Sequence, residues 1–155
     1  MLFRWLLWNV ARSKLNNRQT IRRAGRNART HYDIGNDLYV RMLGEEMIYS
    51  CARWDGAEDL DTAQETKLEL ICKKLHLEPG MRVLDIGSGW GGFARHAAVN
   101  HGATVVGISP AGEQVREARR RAGSLPVKFH QQDYREARSE EHPSELQSPA
   151  YLVCR

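Results

Sequence analysis

Val83-Leu84-Asp85-Ile86-Gly87-Ser88-Gly89-Trp90-Gly91-Gly92 reads as a short apolar strand that breaks into a glycine turn and then opens a helix. Alternating glycines let a backbone pass close to a ligand and adopt dihedrals that a side chain forbids, and the helix start beyond them offers unpaired N–H groups. A turn of this kind cradles a nucleotide-like cofactor. Gly87-x-Gly89-x-x-Gly92 also satisfies the dinucleotide fingerprint, so a nicotinamide or flavin must be weighed beside S-adenosylmethionine. A turn that merely packs a helix against a strand is the plainest alternative.

Asp85 and the next strand separate these readings. A carboxylate at the end of the first strand suits a cationic aminoacyl-sulfonium ligand and repels a pyrophosphate. An NAD site calls for an acid at the end of the second strand. Thr104-Val105-Val106-Gly107-Ile108-Ser109-Pro110 supplies none before Glu113. The residues favour S-adenosylmethionine.

Outward from the turn, strands are predicted at 82–86, 104–108 and 127–129, with helices over 90–100 and 111–122. Upstream, Thr62-x-x-Glu65 has the form of a capping box, with Leu68, Ile71, Cys72 and Leu75 at helical spacing behind it, which predicts a helix from about 62 to 76. Before that, residues 31–43 start with a turn and continue as a short helix carrying Leu38, Tyr39 and Met42, and 47–54 reads as a loop that closes over something. Strands alternating with helices imply an α/β fold with a parallel sheet, in which ligands sit beyond the carboxyl ends of the strands. Asp85 and Ser88, Ser109 and Gln114, and Asp133 and Tyr134 all fall at that edge. Gln114 is suited to a ribose hydroxyl and Asp133 to an adenine amino group.

Composition sets further bounds. The 155 residues suffice for one ordinary domain, yet the glycine motif begins only after residue 80, leaving little chain for a five-stranded fold. The net charge of +4 hides a split: residues 1–30 carry +8 and the remainder −4. A basic arm headed by Trp5 and Trp8 fits a polyanion, nucleic acid or anionic lipid, or else a solvated linker. The apolar head is too short to span a bilayer. Cys51, Cys72 and Cys154 are widely spaced, which suits a reducing cytoplasm and forms neither a disulfide framework nor a zinc pattern. No metal site is expected.

His31-Tyr32-Asp33-Ile34-Gly35-Asn36-Asp37-Leu38-Tyr39, Tyr49-Ser50-Cys51-Ala52, Ala63-Gln64 with Lys67, Leu77-x-Pro79-Gly80-Met81 and the glycine turn occur in an order and spacing that resemble the cyclopropane-fatty-acyl-phospholipid synthases, relatives of the mycolic acid cyclopropane synthases. The likeness covers residues 31–136. It implies a Rossmann-like S-adenosylmethionine methyltransferase fold, truncated here after the third strand, and methylene transfer to a cis double bond of a phospholipid acyl chain. Carried over by the resemblance, Tyr49 and Ser50 contact the cofactor. Asp85, Gly87, Ser88, Gly89, Trp90 and Gly91 hold its methionine part, Ser109 and Gln114 the ribose side, and Asp133 and Tyr134 the adenine. Cys51 lines a bicarbonate site as the candidate catalytic residue, although a small buried thiol is an equally good reading of it.

The resemblance further implies a cytoplasmic enzyme, peripheral at the inner membrane face and without nucleic acid, whose parent form is a homodimer. Ser88 stands where the family commonly has cysteine, and Pro110-Ala111-Gly112 replaces an apolar-Ser stretch. Residues 1–30 read as a basic linker or the remnant of an N-terminal domain. Residues 137–155 depart from the family, resemble translated adapter sequence, and are expected to be disordered or artefactual. With no fourth strand beside the first, the chain alone is expected to aggregate or fail to turn over.

Overall fold

In Arg82–Ile86 (β1) the pleat buries Val83 and Asp85 on one face, while Thr104–Ser109 (β2) is buried at every position after Thr104. Burial at successive positions marks β2 as a strand covered on both faces. The computed structural model describes residues 36–136, the backbone of 151–154 and, upstream, Trp5 and Trp8, both helical and exposed. The basic arm as a whole, the motif from His31 to Gly35 and the tail between 137 and 150 lie outside the described residues.

The described chain begins with Asn36–Met42 (α1), followed by an irregular stretch and then Leu60–Lys74 (α2). After β1 come Gly92–His101 (α3), β2, Gly112–Ala122 (α4), Val127–Gln131 (β3) and a 3-10 turn at Tyr134–Glu136. Tyr151–Cys154 forms β4. The sheet order is β3-β2-β1-β4, with every neighbouring pair parallel. Asp85 pairs with Gly107, and Gly107 with Phe129. The chain runs from β1 outward to β3 on one side and places β4 on the other, so the strand order reverses at β1, where such sheets bind ligands.

The expected α/β Rossmann-like class is the observed one, with one correction. The sheet does not stop at the third strand, because the tail supplies β4, whose backbone pairs with β1 from Val83↔Tyr151 to Ile86↔Cys154. Tyr151-Leu152-Val153-Cys154 is an apolar run of strand-forming type, and an open β1 edge is a ready partner for it.

Helix ends differ from the sequence reading for local reasons. The cap of α2 is Asp59, whose Oδ1 accepts from the Thr62 backbone N–H at 2.8 Å, so the helix starts one turn before the Thr62-x-x-Glu65 pattern. α3 starts at Gly92 because Gly91, at φ 82°, is its left-handed N-cap. On α1, Tyr39 and the following Leu43 are buried, while Leu38 and Met42 face solvent.

The core joins Leu68 and Cys72 of α2, Phe93, Ala94 and Ala97 of α3, Val115 and Ala118 of α4, and Val83, Val105 and Phe129 of the sheet. Small residues on the helices let them approach the sheet closely. Gly107 serves the same end. A Cβ there would stand 2.5 Å from Phe129 Cδ1 and 2.9 Å from Ser88 Cβ, so only glycine lets β2 pass between the Phe129 ring and the turn.

Candidate functional site

Beyond the carboxyl ends of β1 and β2 lies a cleft of about 330 Å³ lined by Met47, Tyr49, Ser50, Gly87, Ser88, Gly89, Trp90, Gly92, Ser109, Pro110, Ala111 and Gln114. Three segments build it. The glycine turn makes the floor: Gly87 and Gly89 have φ of 77° and 55°, and a Cβ on either would meet no protein atom within 4 Å. Their constraint is conformational and their flank is open, as a backbone approached by a ligand requires. The turn is tied to β2 by the Gly87 and Ser88 N–H groups, which both donate to Ile108 O.

The end of β2 makes one wall. Ser109 Oγ donates to Gln114 Oε1 at 2.9 Å and accepts from Ala111 N–H, which fixes both side chains in the cleft. The buried Ser88 Oγ has no hydrogen-bond partner among the described residues, a polar group at the cleft that a ligand can satisfy.

The loop at 47–50 makes the opposite wall, and its placement rests on residues from three helices. From α2, Gln64 Nε2 donates to Ile48 O at 3.2 Å and Ser50 O at 3.1 Å, and Lys67 Nζ donates to Ser50 Oγ at 2.8 Å. From α3, Arg95 pairs with Glu46 at 2.5 Å. From α1, Tyr39 packs on Trp90, ring centroids 4.7 Å apart, and edge-on to Tyr49 at 5.8 Å. Trp90 is buried with Tyr39, Leu43 and Met47.

A second hollow, about 360 Å³, lies across the loop. Leu43, Ile48, Tyr49, Ser50, Cys51, Ala52, Trp54, Leu60 and Gln64 line it. Tyr49 and Ser50 therefore wall both cavities.

Of the residues singled out from sequence, Tyr49, Ser50, Gly87, Ser88, Gly89, Trp90, Ser109 and Gln114 converge on the cleft. Gly91 caps α3 just outside it. Asp85 is wholly buried in β1 on the face shared with Val83, and does not line the cleft. Asp133 does not line it either. Its carboxylate grips Arg135 through Nε at 2.8 Å and a terminal nitrogen at 2.7 Å, and the guanidinium holds it below the usual carboxylate range. Tyr134 is exposed, with the Arg135 guanidinium 5.7 Å from its ring centre. Gln132 N–H donates to Ser109 O, which brings this segment to the cleft's edge. Cys51 is exposed, which corrects the reading of a small buried thiol. The sequence reading gave no role to Asn36, Gln64 or Lys67, the residues that hold the walls. Their one signal was that they sit within the motifs flanking the turn.

A sequence profile of the family described as mycolic acid cyclopropane synthetase matches residues 19–142. The chain belongs to that family. Within the family's reach, it is 49% identical over 127 residues to the cyclopropane-fatty-acyl-phospholipid synthase of Escherichia coli K12, covering 82% of this chain and 33% of the relative. A probable fatty acid methyltransferase of Mycobacterium tuberculosis is 48% identical over 87 residues, 56% of this chain and 20% of that one. Among solved structures, mycolic acid cyclopropane synthase CmaA1 complexed with SAH and CTAB superposes with a TM-score of 0.70 at 27% identity, over 74% of this chain and 42% of that one. The chain thus spans a third of the length of the E. coli relative. The residues that line the glycine-turn cleft all lie within the stretch that the family profile matches. Among the described residues, no helix is long and apolar enough to cross a membrane.

Proposed function

We propose that this chain is the cofactor-binding part of a synthase that carries a methylene from S-adenosylmethionine to the cis double bond of an unsaturated phospholipid acyl chain. One observation carries the reading: Tyr49 and Ser50 form a single wall between a cleft with an open glycine floor and a fixed Ser109–Gln114 pair and a hollow lined chiefly by apolar side chains. Cofactor on one side and acyl chain on the other meet at that wall.

The residues present fit the cofactor. Gly87 and Gly89 offer an open backbone, Ser88 Oγ an unsatisfied hydroxyl, and Ser109 and Gln114 a fixed polar pair. Asp133 and Tyr134 are the proposed adenine contacts, reached through the Gln132–Ser109 link at the cleft's edge. When bound, S-adenosylmethionine supplies the electrophilic methyl carbon that becomes the ring methylene. Tyr49 presents an aromatic ring at the wall, where it can stabilise positive charge developing on the acyl chain. Cys51 and Trp54 line the hollow and are exposed, and an acyl chain would cover them on binding.

A bicarbonate beside Cys51 belongs to the same proposal: the Lys67 ammonium at Ser50 is a cationic donor, and the buried Gln64 Oε1 is an acceptor that the ion's O–H would meet. The exposed Tyr49 and Trp54 at the hollow support a peripheral membrane contact on the cytoplasmic side, and homodimerisation of the parent enzyme belongs to the same reading.

The probable fatty acid methyltransferase among the relatives favours a second reading, in which the same two cavities serve methyl transfer without ring closure. In either case this chain, whose 127 matched residues span a third of the E. coli relative, is proposed to bind without turnover.

The acyl assignment is tested by tryptophan quenching with vesicles of phospholipids bearing brominated acyl chains. Wild-type fluorescence is expected to fall, with a clear part of the fall lost in Trp54→Phe. Equal quenching in that variant contradicts the hollow as the acyl site. Gas chromatography of acyl esters after incubation with S-adenosylmethionine is expected to show no cyclopropane product, and its formation contradicts the inactivity of the chain alone.

A further inference from the structure

The spacing of the cysteines carries no zinc pattern, yet the fold gathers a ligand set that the spacing hides. α2 contributes Glu69 and Cys72, one turn apart, and α3 contributes His96 and His101. One ligand atom from each of Cys72, His96 and His101 lies within 4.8 Å of the others. Glu69 Oε2 stands 2.9 Å from His101 Nε2 and 3.5 Å from His96 Nε2. None of the four lines the cofactor cleft or the hollow beside it.

The independent observation is His96. Its side chain is only 7% exposed, and its buried Nε2, the nitrogen facing Glu69, makes no hydrogen bond. Its other nitrogen, Nδ1, lies 3.0 Å from the amide of Asn100. An asparagine amide can present oxygen or nitrogen at one place, so Asn100 can accept from Nδ1–H and leave the Nε2 lone pair for a cation. A histidine whose far nitrogen is held by an amide or carbonyl is the usual arrangement of a metal ligand.

We propose that Cys72, His96, His101 and Glu69 form a structural site for a zinc-class divalent cation that ties α2 to α3. Thiolate and two imidazoles select a borderline-soft ion over magnesium or calcium, and one carboxylate completes a tetrahedral set. The present spacing contracts by about 1 Å through side-chain rotation to reach zinc bond lengths of about 2.0–2.3 Å. Burial, and next the Glu69 carboxylate, push the Cys72 thiol up to about 11. The cation takes the place of the thiol proton, which leaves to bulk water. The partly exposed His101 and Glu69 give the ion its way in.

The test is titration of Co²⁺ into the chelator-treated chain, followed by visible and near-ultraviolet absorption. The expected result is the intense d–d absorption of a tetrahedral site with a thiolate charge-transfer band, both bleached by one equivalent of Zn²⁺. Cys72→Ala removes the charge-transfer band, and Cys72→Ala and His101→Gln each weaken affinity at least tenfold. Cys51→Ala leaves the spectrum unchanged, and zinc raises the thermal midpoint of the wild type more than that of Cys72→Ala. Absence of a tetrahedral cobalt spectrum, or its persistence in Cys72→Ala with the charge-transfer band intact, overturns the proposal.

Discussion

The indole Nε1–H of Trp90 donates to Asn36 Oδ1 at 2.8 Å, joining the first residue of α1 to the glycine turn 54 residues later. Through that bond and the Tyr39 ring, a short helix with three exposed apolar residues, Leu38, Val40 and Met42, is held on the cleft. Asn36→Ala removes the acceptor and leaves a buried N–H unsatisfied, at a cost of about 1–3 kcal/mol. Trp90→Phe deletes the N–H as well and keeps an aromatic contact with Tyr39, so it is the milder change. Urea unfolding of both variants checks the order.

Gly107→Ala tests how the turn is packed. The new methyl would sit 2.5 Å from Phe129 Cδ1 in a strand with no positive φ, so the effect is overpacking alone. A loss of about 1–3 kcal/mol is expected. Phe129→Leu placed on top should recover part of it, and a double-mutant cycle over the two sites measures the coupling.

Gln64 and Lys67 separate stability from site order. Gln64 is buried and satisfies the Ile48 and Ser50 carbonyls, so Gln64→Leu is expected to cost about 1–3 kcal/mol. Lys67→Ala removes an exposed bond to Ser50 Oγ and should change stability less than Gln64→Leu does. Both are expected to weaken S-adenosylhomocysteine binding, because both release the 47–50 wall. Chemical unfolding alongside calorimetry distinguishes the two effects.

Much of this arrangement is legible locally, and the part that is not depends on distant partners. The strand at 82–86 and the burial of Leu68 and Cys72 follow from apolar spacing, and the glycine turn follows from residue type. The cap of α2 was misplaced because Asp59-x-x-Thr62 and Thr62-x-x-Glu65 both offer a side-chain acceptor three residues from an N–H, and only the chain's path chooses between them. The apolar residues Leu38, Tyr39 and Met42 of α1 do not by themselves show which of them is packed. Trp90, far along the chain, selects Tyr39 and Leu43. Asp133 has the right chemistry for an adenine amino group, and two residues on, Arg135 claims its carboxylate. The pairing of 151–154 with β1 depends on an edge that no local pattern in that segment announces.

Glu117 gives the pH dependence a definite sign. Arg120, together with Arg121, holds its carboxyl down at about 2, against an ordinary value of 4.5. The folded value is the lower one, so the stabilisation is fully present above about pH 4.5 and is lost as pH falls toward 2. Arg120 is exposed, so solvent screening makes the contribution smaller than the shift alone implies. Glu117→Gln should lower stability at neutral pH and flatten its decline in acid, as followed by thermal midpoints between the two limits.

We propose that the turn at Gly87–Gly91 forms an S-adenosylmethionine cleft in this chain. Isothermal titration of S-adenosylhomocysteine into the wild type and into Gly89→Val is the decisive test. At φ 55°, a Cβ at position 89 meets no protein atom within 4 Å, but the left-handed backbone is strained by any side chain, so Gly89→Val disturbs the turn as well as the space above it. Saturable one-to-one binding in the wild type, weakened at least tenfold in a Gly89→Val chain that keeps its circular dichroism, is the predicted result. No binding by the folded wild type, or equal binding by the variant, would contradict it.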